Sequence, residues 1–172
     1  MTRKTLFLDF DGVLHPDDAY MVNGRPMLKT TGQLFMWAPL LADVLADFPD
    51  VEIVLSTSWA RALSFSRARL YLPEELRGRV IGSTWHSAMA QREAPCFPFV
   101  WWDEATRYQQ IQRYARRAGL KDWVAVDDQP EGWAAADLDK LVHTDSQTGL
   151  SDPATLTLLA ARLRDLGRSE PC

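Results

Sequence analysis

The chain has 172 residues, a formal net charge of −4, 47% hydrophobic and 24% charged residues. That balance suits a folded unit with a real core and argues against long disorder and against nucleic-acid binding through bulk charge. No apolar stretch approaches a membrane span, and Met1 to Lys4 runs straight into a strand-like segment without an apolar stretch of the length expected of a signal peptide. The two cysteines, Cys96 and Cys172, lack metal-type spacing and do not suggest a disulfide framework. The expectation is a cytoplasmic protein whose residues 1–172 form a single domain.

Short apolar runs alternate with longer helical patterns. Thr5 to Asp9 reads as a buried strand. Gln33 to Phe48 follows as a helix, with Leu34, Trp37, Leu41, Val44, Leu45 and Phe48 at helical spacing, and Pro39 predicts a start or a kink inside it. Val51 to Ser56 is the second strand and Arg79 to Ser83 a weaker third. Ala105 to Ala118 reads as a helix with Ile111, Tyr114, Ala115 and Ala118 on its apolar face, and Gly119 as its stop. Trp123 to Asp127 and Lys140 to His143 complete five strands. Asp152-Pro153 opens a last helix, as cap and first position, with Leu156, Leu159, Ala160 and Leu163 facing inward. Apolar strands alternating with helices predict a three-layer, doubly wound, mostly parallel α/β sheet.

In such sheets ligands bind beyond the carboxyl ends of the strands. Strand one ends in Asp9-Phe10-Asp11-Gly12, strand two in Ser56-Thr57-Ser58 and strand four in Asp127-Asp128. Four carboxylates and several hydroxyls therefore converge on one edge. Like charges at close range repel, and Mg2+, with its preference for oxygen ligands and phosphate, relieves that cost. Asp9, if still in the strand, can point at metal and phosphate, while the turn at Gly12 lets Asp11 lean toward a leaving group.

Asp9-Phe10-Asp11-Gly12-Val13-Leu14 after an apolar strand resembles the first motif of the haloacid dehalogenase (HAD) superfamily. Its second motif is met by Ile53 to Trp59 and its fourth by Val124 to Asp128, in the expected order. The third, a Lys or Arg near the start of the helix before the acidic strand, is best matched by Arg107. Lys121 lies close to strand four and Arg61 is a weaker alternative. The resemblance implies that Asp9 attacks phosphorus to form an aspartyl-phosphate, and that Asp11 serves as general acid and then base. It implies that Thr57 binds the transferring phosphoryl group, with Ser56 and Ser58 as register alternatives, and that Arg107 offsets its charge. Gly12 and Arg61 join the substrate-binding set. Mg2+ falls to the Asp9 carboxylate, the Asp11 backbone carbonyl, Asp127 and Asp128. Asp11 favours phosphate chemistry, since dehalogenases of the superfamily lack an Asp there.

Only short insertions fit, roughly at 15–31 and 60–104, so the cap is minimal and the expected site open. Ser56 to Trp59, Trp123 to Asp128 and Thr148 to Leu150 are similar to a compact HAD group also found as a domain of multidomain RNA-repair proteins. That group often carries Arg directly after the Trp of the second motif. Here the position is Ala60, with Arg61 one further on. The implied activity is a Mg2+-dependent phosphatase acting on a phosphorylated nucleic-acid end or a nucleotide. The alternatives are a small-metabolite phosphatase and a non-catalytic Mg2+-binding module. Trp59, Trp85, Trp101 and Trp102 suit base stacking or, more simply, packing. Arg61, Arg67 and Arg69 read as the wet face of a helix or a phosphate-tracking row, and His15 as a loop residue near the first motif.

Overall fold

A computed structural model describes residues 3–86 and 101–168. Cys96 and Cys172 lie outside the described residues, as does part of the second expected insertion. The described residues hold seven strands: β1 (Lys4–Leu8), β2 (Ala19–Val22), β3 (Arg25–Leu28), β4 (Val51–Leu55), β5 (Val80–Ser83), β6 (Trp123–Asp127) and β7 (Leu141–His143). The helices are α1 (Ala38–Ala46), α2 (Trp59–Leu63), α3 (Phe65–Leu70), α4 (Glu74–Arg77), α5 (Trp101–Glu104), α6 (Arg107–Ala118) and α7 (Pro153–Asp165).

Five strands form one parallel sheet in the order β5-β4-β1-β6-β7, as the strand–helix alternation predicts. The chain works outward from β1 on one side, then returns to pair β6 against β1 on the other. The switch point therefore lies between β1 and β6, where ligands of doubly wound sheets sit. Register brings the strand ends level. Leu8 stands opposite both Leu55 and Val126, so Asp9, Ser56 and Asp127 follow at one height.

Strand parity decides which side each residue serves. Leu6, Leu8, Ile53, Leu55, Val124 and Val126 share a core with α1, α2, α3, α4 and α7 through Leu41, Leu45, Leu63, Ala68, Leu76, Leu159 and Leu163. Phe7, Val54 and Ala125 point the other way, onto Ile111 and Ala115 of α6. Asp9 and Asp127, two residues beyond Phe7 and Ala125, continue on the α6 side.

Several boundaries differ from the expectation. α1 begins at Ala38 rather than Gln33, with Pro39 in its first turn, where a missing N–H costs nothing. Phe35 interrupts the expected turn with a φ of 61°. In α6, Arg107 and Gln110 are buried while Ala118 is exposed, so the buried stripe reaches toward the sheet edge instead of the helix end. A capping box between Thr106 and Gln109 starts α6, and Gly119 ends it in a left-handed conformation. Asp152 caps α7 through the N–H groups of Ala154 and Thr155, with Pro153 first in the helix.

The insertion after β1 is a two-stranded antiparallel ribbon, β2 and β3, which apolar periodicity did not disclose. Its turn uses Asn23-Gly24, both at positive φ, the geometry that tight hairpins need. The part of the second insertion that is described folds mainly into α2, α3 and α4, with Arg61 and Arg67 on the exposed side and Arg69 half-buried.

Candidate active site

Asp9 leaves β1 almost wholly buried. Its Oδ1 accepts the Phe10 N–H at 2.7 Å and its Oδ2 accepts from Arg107 Nη2 at 3.0 Å. The capping box fixes the first residue of α6, and this places Arg107 over the sheet edge. From there Nε of the same guanidinium lies 3.0 Å from Asp127 Oδ2. That second contact is a charge pairing without hydrogen-bond alignment, since neither atom has a hydrogen-bond partner among the described residues. Arg107 Nη1 donates to Gln110 Oε1 at 3.3 Å, and Gln110 Nε2 in turn donates to the carbonyls of Trp102 and Ala105.

Asp9, Asp127 and Asp128 each offer a carboxylate oxygen within 4.8 Å of the others. Burial lifts the Asp9 carboxyl to about 6 against the pull of Arg107, and the charge of Asp11 adds to the rise. Burial, and then the charge of Asp9, holds Asp127 well above the usual carboxylate range. The same two causes push Asp128 to about 7. Burial works against the charge of Arg107, but Asp9, Asp127 and Asp128 more than offset it and raise its pKa. One guanidinium thus faces three acids and does not satisfy them. Among the described residues, Asp127 Oδ2 and Asp128 Oδ1 find no hydrogen-bond partner despite being buried. Orphaned carboxylate oxygens converging at short range fit a hard divalent cation such as Mg2+.

Gly12 makes room for this group. It sits at a φ of 68°, and a Cβ there would overlap the Asp128 carboxylate. Its carbonyl accepts a 2.7 Å hydrogen bond from the buried Thr144 hydroxyl, just past β7. Thr144 escaped the sequence reading because its strand is short and its partner is a backbone atom 132 positions away. Gly149, also at positive φ, lets the chain pass under Trp37 and Val13, which ties the segment after β7 to the first motif.

Among the strand-two hydroxyls, Thr57 is buried and acts to lower the Asp9 pKa, and its Oγ1 accepts the Trp59 N–H at 3.4 Å. Ser56 is buried and its hydroxyl has no partner among the described residues, whereas Ser58 is exposed at the start of α2. Arg61 stands apart from the acids, paired with Asp103 and lying over the rings of Trp85 and Trp102. Of the two cations set beside Arg107 as alternatives, Arg61 is thus engaged elsewhere, and Lys121 is exposed ahead of β6. Trp59, Trp85 and Trp102 are buried and Trp101 is half-buried, so three of the four candidate stacking rings serve as packing.

Asp11 is one fifth exposed and its carboxylate is held from the other side. Oδ2 accepts the Trp59 indole N–H at 2.8 Å, and Oδ1 lies 3.0 Å from His15 Nε2. His15, expected as a loop residue, is fully buried. A cavity of about 130 Å³ adjoins Asp11, lined by Tyr20, Met21 and Pro26 of the ribbon and by Trp59 and Leu63 of α2.

A doubly wound parallel sheet with aspartates at the carboxyl ends of β1 and β6 and a hydroxyl after β4 defines a HAD-type α/β domain. Within that class, residues 5–155 match the family described as "HAD domain in Swiss Army Knife RNA repair proteins", and the chain belongs to it. No curated protein and no solved structure matches the chain. Among the described residues no helix is long and apolar enough to cross a membrane.

Proposed function

We propose that this chain is a Mg2+-dependent phosphomonoesterase working through an aspartyl-phosphate on Asp9. The observation that carries the reading is the buried Asp9 carboxylate, 3.0 Å from Arg107 and grouped with the partly unsatisfied Asp127 and Asp128. An Asp9 oxygen attacks phosphorus as the bond from phosphorus to the leaving oxygen breaks, and Asp11 passes its proton to that oxygen. Water then attacks the acyl phosphate while Asp11 takes a proton back, which releases inorganic phosphate and restores both acids. Thr57 donates to a phosphoryl oxygen, and Arg107 offsets the negative charge gathered there. Asp9, Asp127, Asp128 and the Asp11 carbonyl would hold Mg2+, which would supply charge neutralisation at the phosphoryl group.

The substrate class that fits best is a phosphorylated nucleic-acid end or a nucleotide. Its support is the family description, together with an insertion after β1 that amounts to one small ribbon. The test is hydrolysis of an aryl phosphate with and without Mg2+, beside an Asp9→Asn variant. Turnover should need the metal, and the variant should lose on the order of 10³-fold or more in kcat. Metal-independent turnover, or an active Asp9→Asn protein, would sink the mechanism. A panel of end-phosphorylated oligonucleotides, nucleotides and sugar phosphates then tests the substrate class, and preference for sugar phosphates would overturn it.

A further inference from the structure

His15 and Trp59 hold Asp11 from two directions. The Trp59 indole can only donate, so its 2.8 Å contact assigns Asp11 Oδ2 as the acceptor. The tautomer of His15 follows from its other nitrogen. His15 Nδ1 accepts the Phe35 backbone N–H at 3.3 Å and must carry a lone pair, so in the neutral ring the proton sits on Nε2, facing Asp11 Oδ1 at 3.0 Å. Each carboxylate oxygen therefore has one lone pair taken on its buried side, and the remaining ones stay available for the reaction.

The surroundings leave these two donors little freedom. His15 is fully buried, with ring centroids 4.9 Å from Phe35 and 5.6 Å from Trp59. Phe35 also packs edge-on against Phe10 and Trp59, and Tyr71 closes the cluster. Phe35 adopts a φ of 61°, costly for a bulky residue, and in that conformation its N–H reaches His15. Such strain persists where its surroundings over-determine it, and it concentrates at functional sites. A bridge between the Asp11 and His15 backbones fixes the loop beneath them.

We infer that His15 and Trp59 are positioning residues that aim the Asp11 carboxyl at the leaving oxygen, and that Phe35 sets the His15 ring for this task. The inference rests on the phosphatase reading, because it assigns Asp11 the role of proton donor. It goes beyond that reading by giving work to two side chains outside the reacting set. A carboxyl swung away by an ångström loses proton transfer without losing phosphate binding. Need for that proton grows as the leaving group becomes more basic. Clamp and mere core support therefore differ in a measurable way.

The experiment compares Trp59→Phe, His15→Leu and His15→Gln in the full chain with Mg2+. It uses two esters: an aryl phosphate with an acidic phenol, and an alkyl phosphate with a basic alkoxide. Trp59→Phe keeps an aromatic ring in the cluster and removes only the donor, so it carries the test even where His15→Leu fails to fold. The expected result is a kcat loss on the order of tenfold to a hundredfold on the alkyl ester, a much smaller loss on the aryl ester, and little change in KM. His15→Gln, which still presents an N–H, should recover part of the alkyl activity. Equal losses on both esters, or no loss on either, would overturn the inference. An Asp9→Asn control separates the two readings. If that control is dead while the clamp variants show no leaving-group dependence, the positioning role alone falls; if it is active, the phosphatase mechanism falls first.

Discussion

Two acids one residue apart sit in opposite surroundings. Asp9 points to the α6 side of the sheet, into a group whose three carboxylates share one guanidinium and leave buried oxygens unsatisfied. Asp11 points away from that group, and each of its oxygens meets a side-chain nitrogen. The first arrangement is electrostatically incomplete, the condition that the proposed Mg2+ would relieve. The second is complete at rest, and its bonds fix direction. Side chains of equal chemistry are thus prepared for different work by the partners the fold supplies.

The sharpest way to break this contrast is Arg107→Met. Removing the guanidinium leaves Asp9 and Asp127 facing each other in a buried setting. The expected cost is about 3–5 kcal/mol of stability in urea unfolding without metal, with partial recovery in Mg2+. An unchanged unfolding midpoint would mean that the acid group is not held together by this charge.

A smaller effect is expected from Gly12→Ala. The variant adds a Cβ at a φ of 68° and against Asp128, so about 1–2 kcal/mol should be lost. Mg2+ affinity, read by titration calorimetry, should weaken as well. Stability loss with unaltered metal binding would separate the turn from the acid group.

The third effect concerns pH and is the smallest. Asp9 and Asp128 ionise near 6 and 7 in the folded chain, above the ordinary 3.8 of an unfolded aspartate. Between those values the folded state holds more protons than the unfolded one. The contribution of these groups to stability therefore falls as pH rises through that window when metal is absent. Mg2+ takes the ionised form, so its rise in Tm should be larger at about pH 8 than at about pH 5. A Tm increment independent of pH would show that these acids do not take up the metal. The Asp11 side of the comparison is tested by the leaving-group experiment.

Much of this was legible before any coordinates. Apolar runs ending in Asp9, Thr57 and Asp127 name both the strands and the edge where their polar ends meet, because a parallel sheet buried on both faces needs continuous apolar strands. Arg107 was also found from its place at a helix start. The β2–β3 ribbon was not, since its half-exposed residues leave no alternation to read. His15 read as a loop residue for a related reason: nothing local shows that Phe35, twenty positions on, turns its N–H toward it.

Sequence by itself determined the sheet, the order of its strands' functional ends and the identities of the acids at that edge. These follow from local patterning and from motifs a few residues long. Tertiary structure alone decided the partners: Arg107 between Asp9 and Asp127, Thr57 rather than Ser58 beside Asp9, and Trp59 and His15 on Asp11. Those contacts join residues up to 98 positions apart, and their geometry depends on strand register and helix caps. Position along the chain supplies the acids and hydroxyls of the edge, and packing across it sets the charge and direction of each.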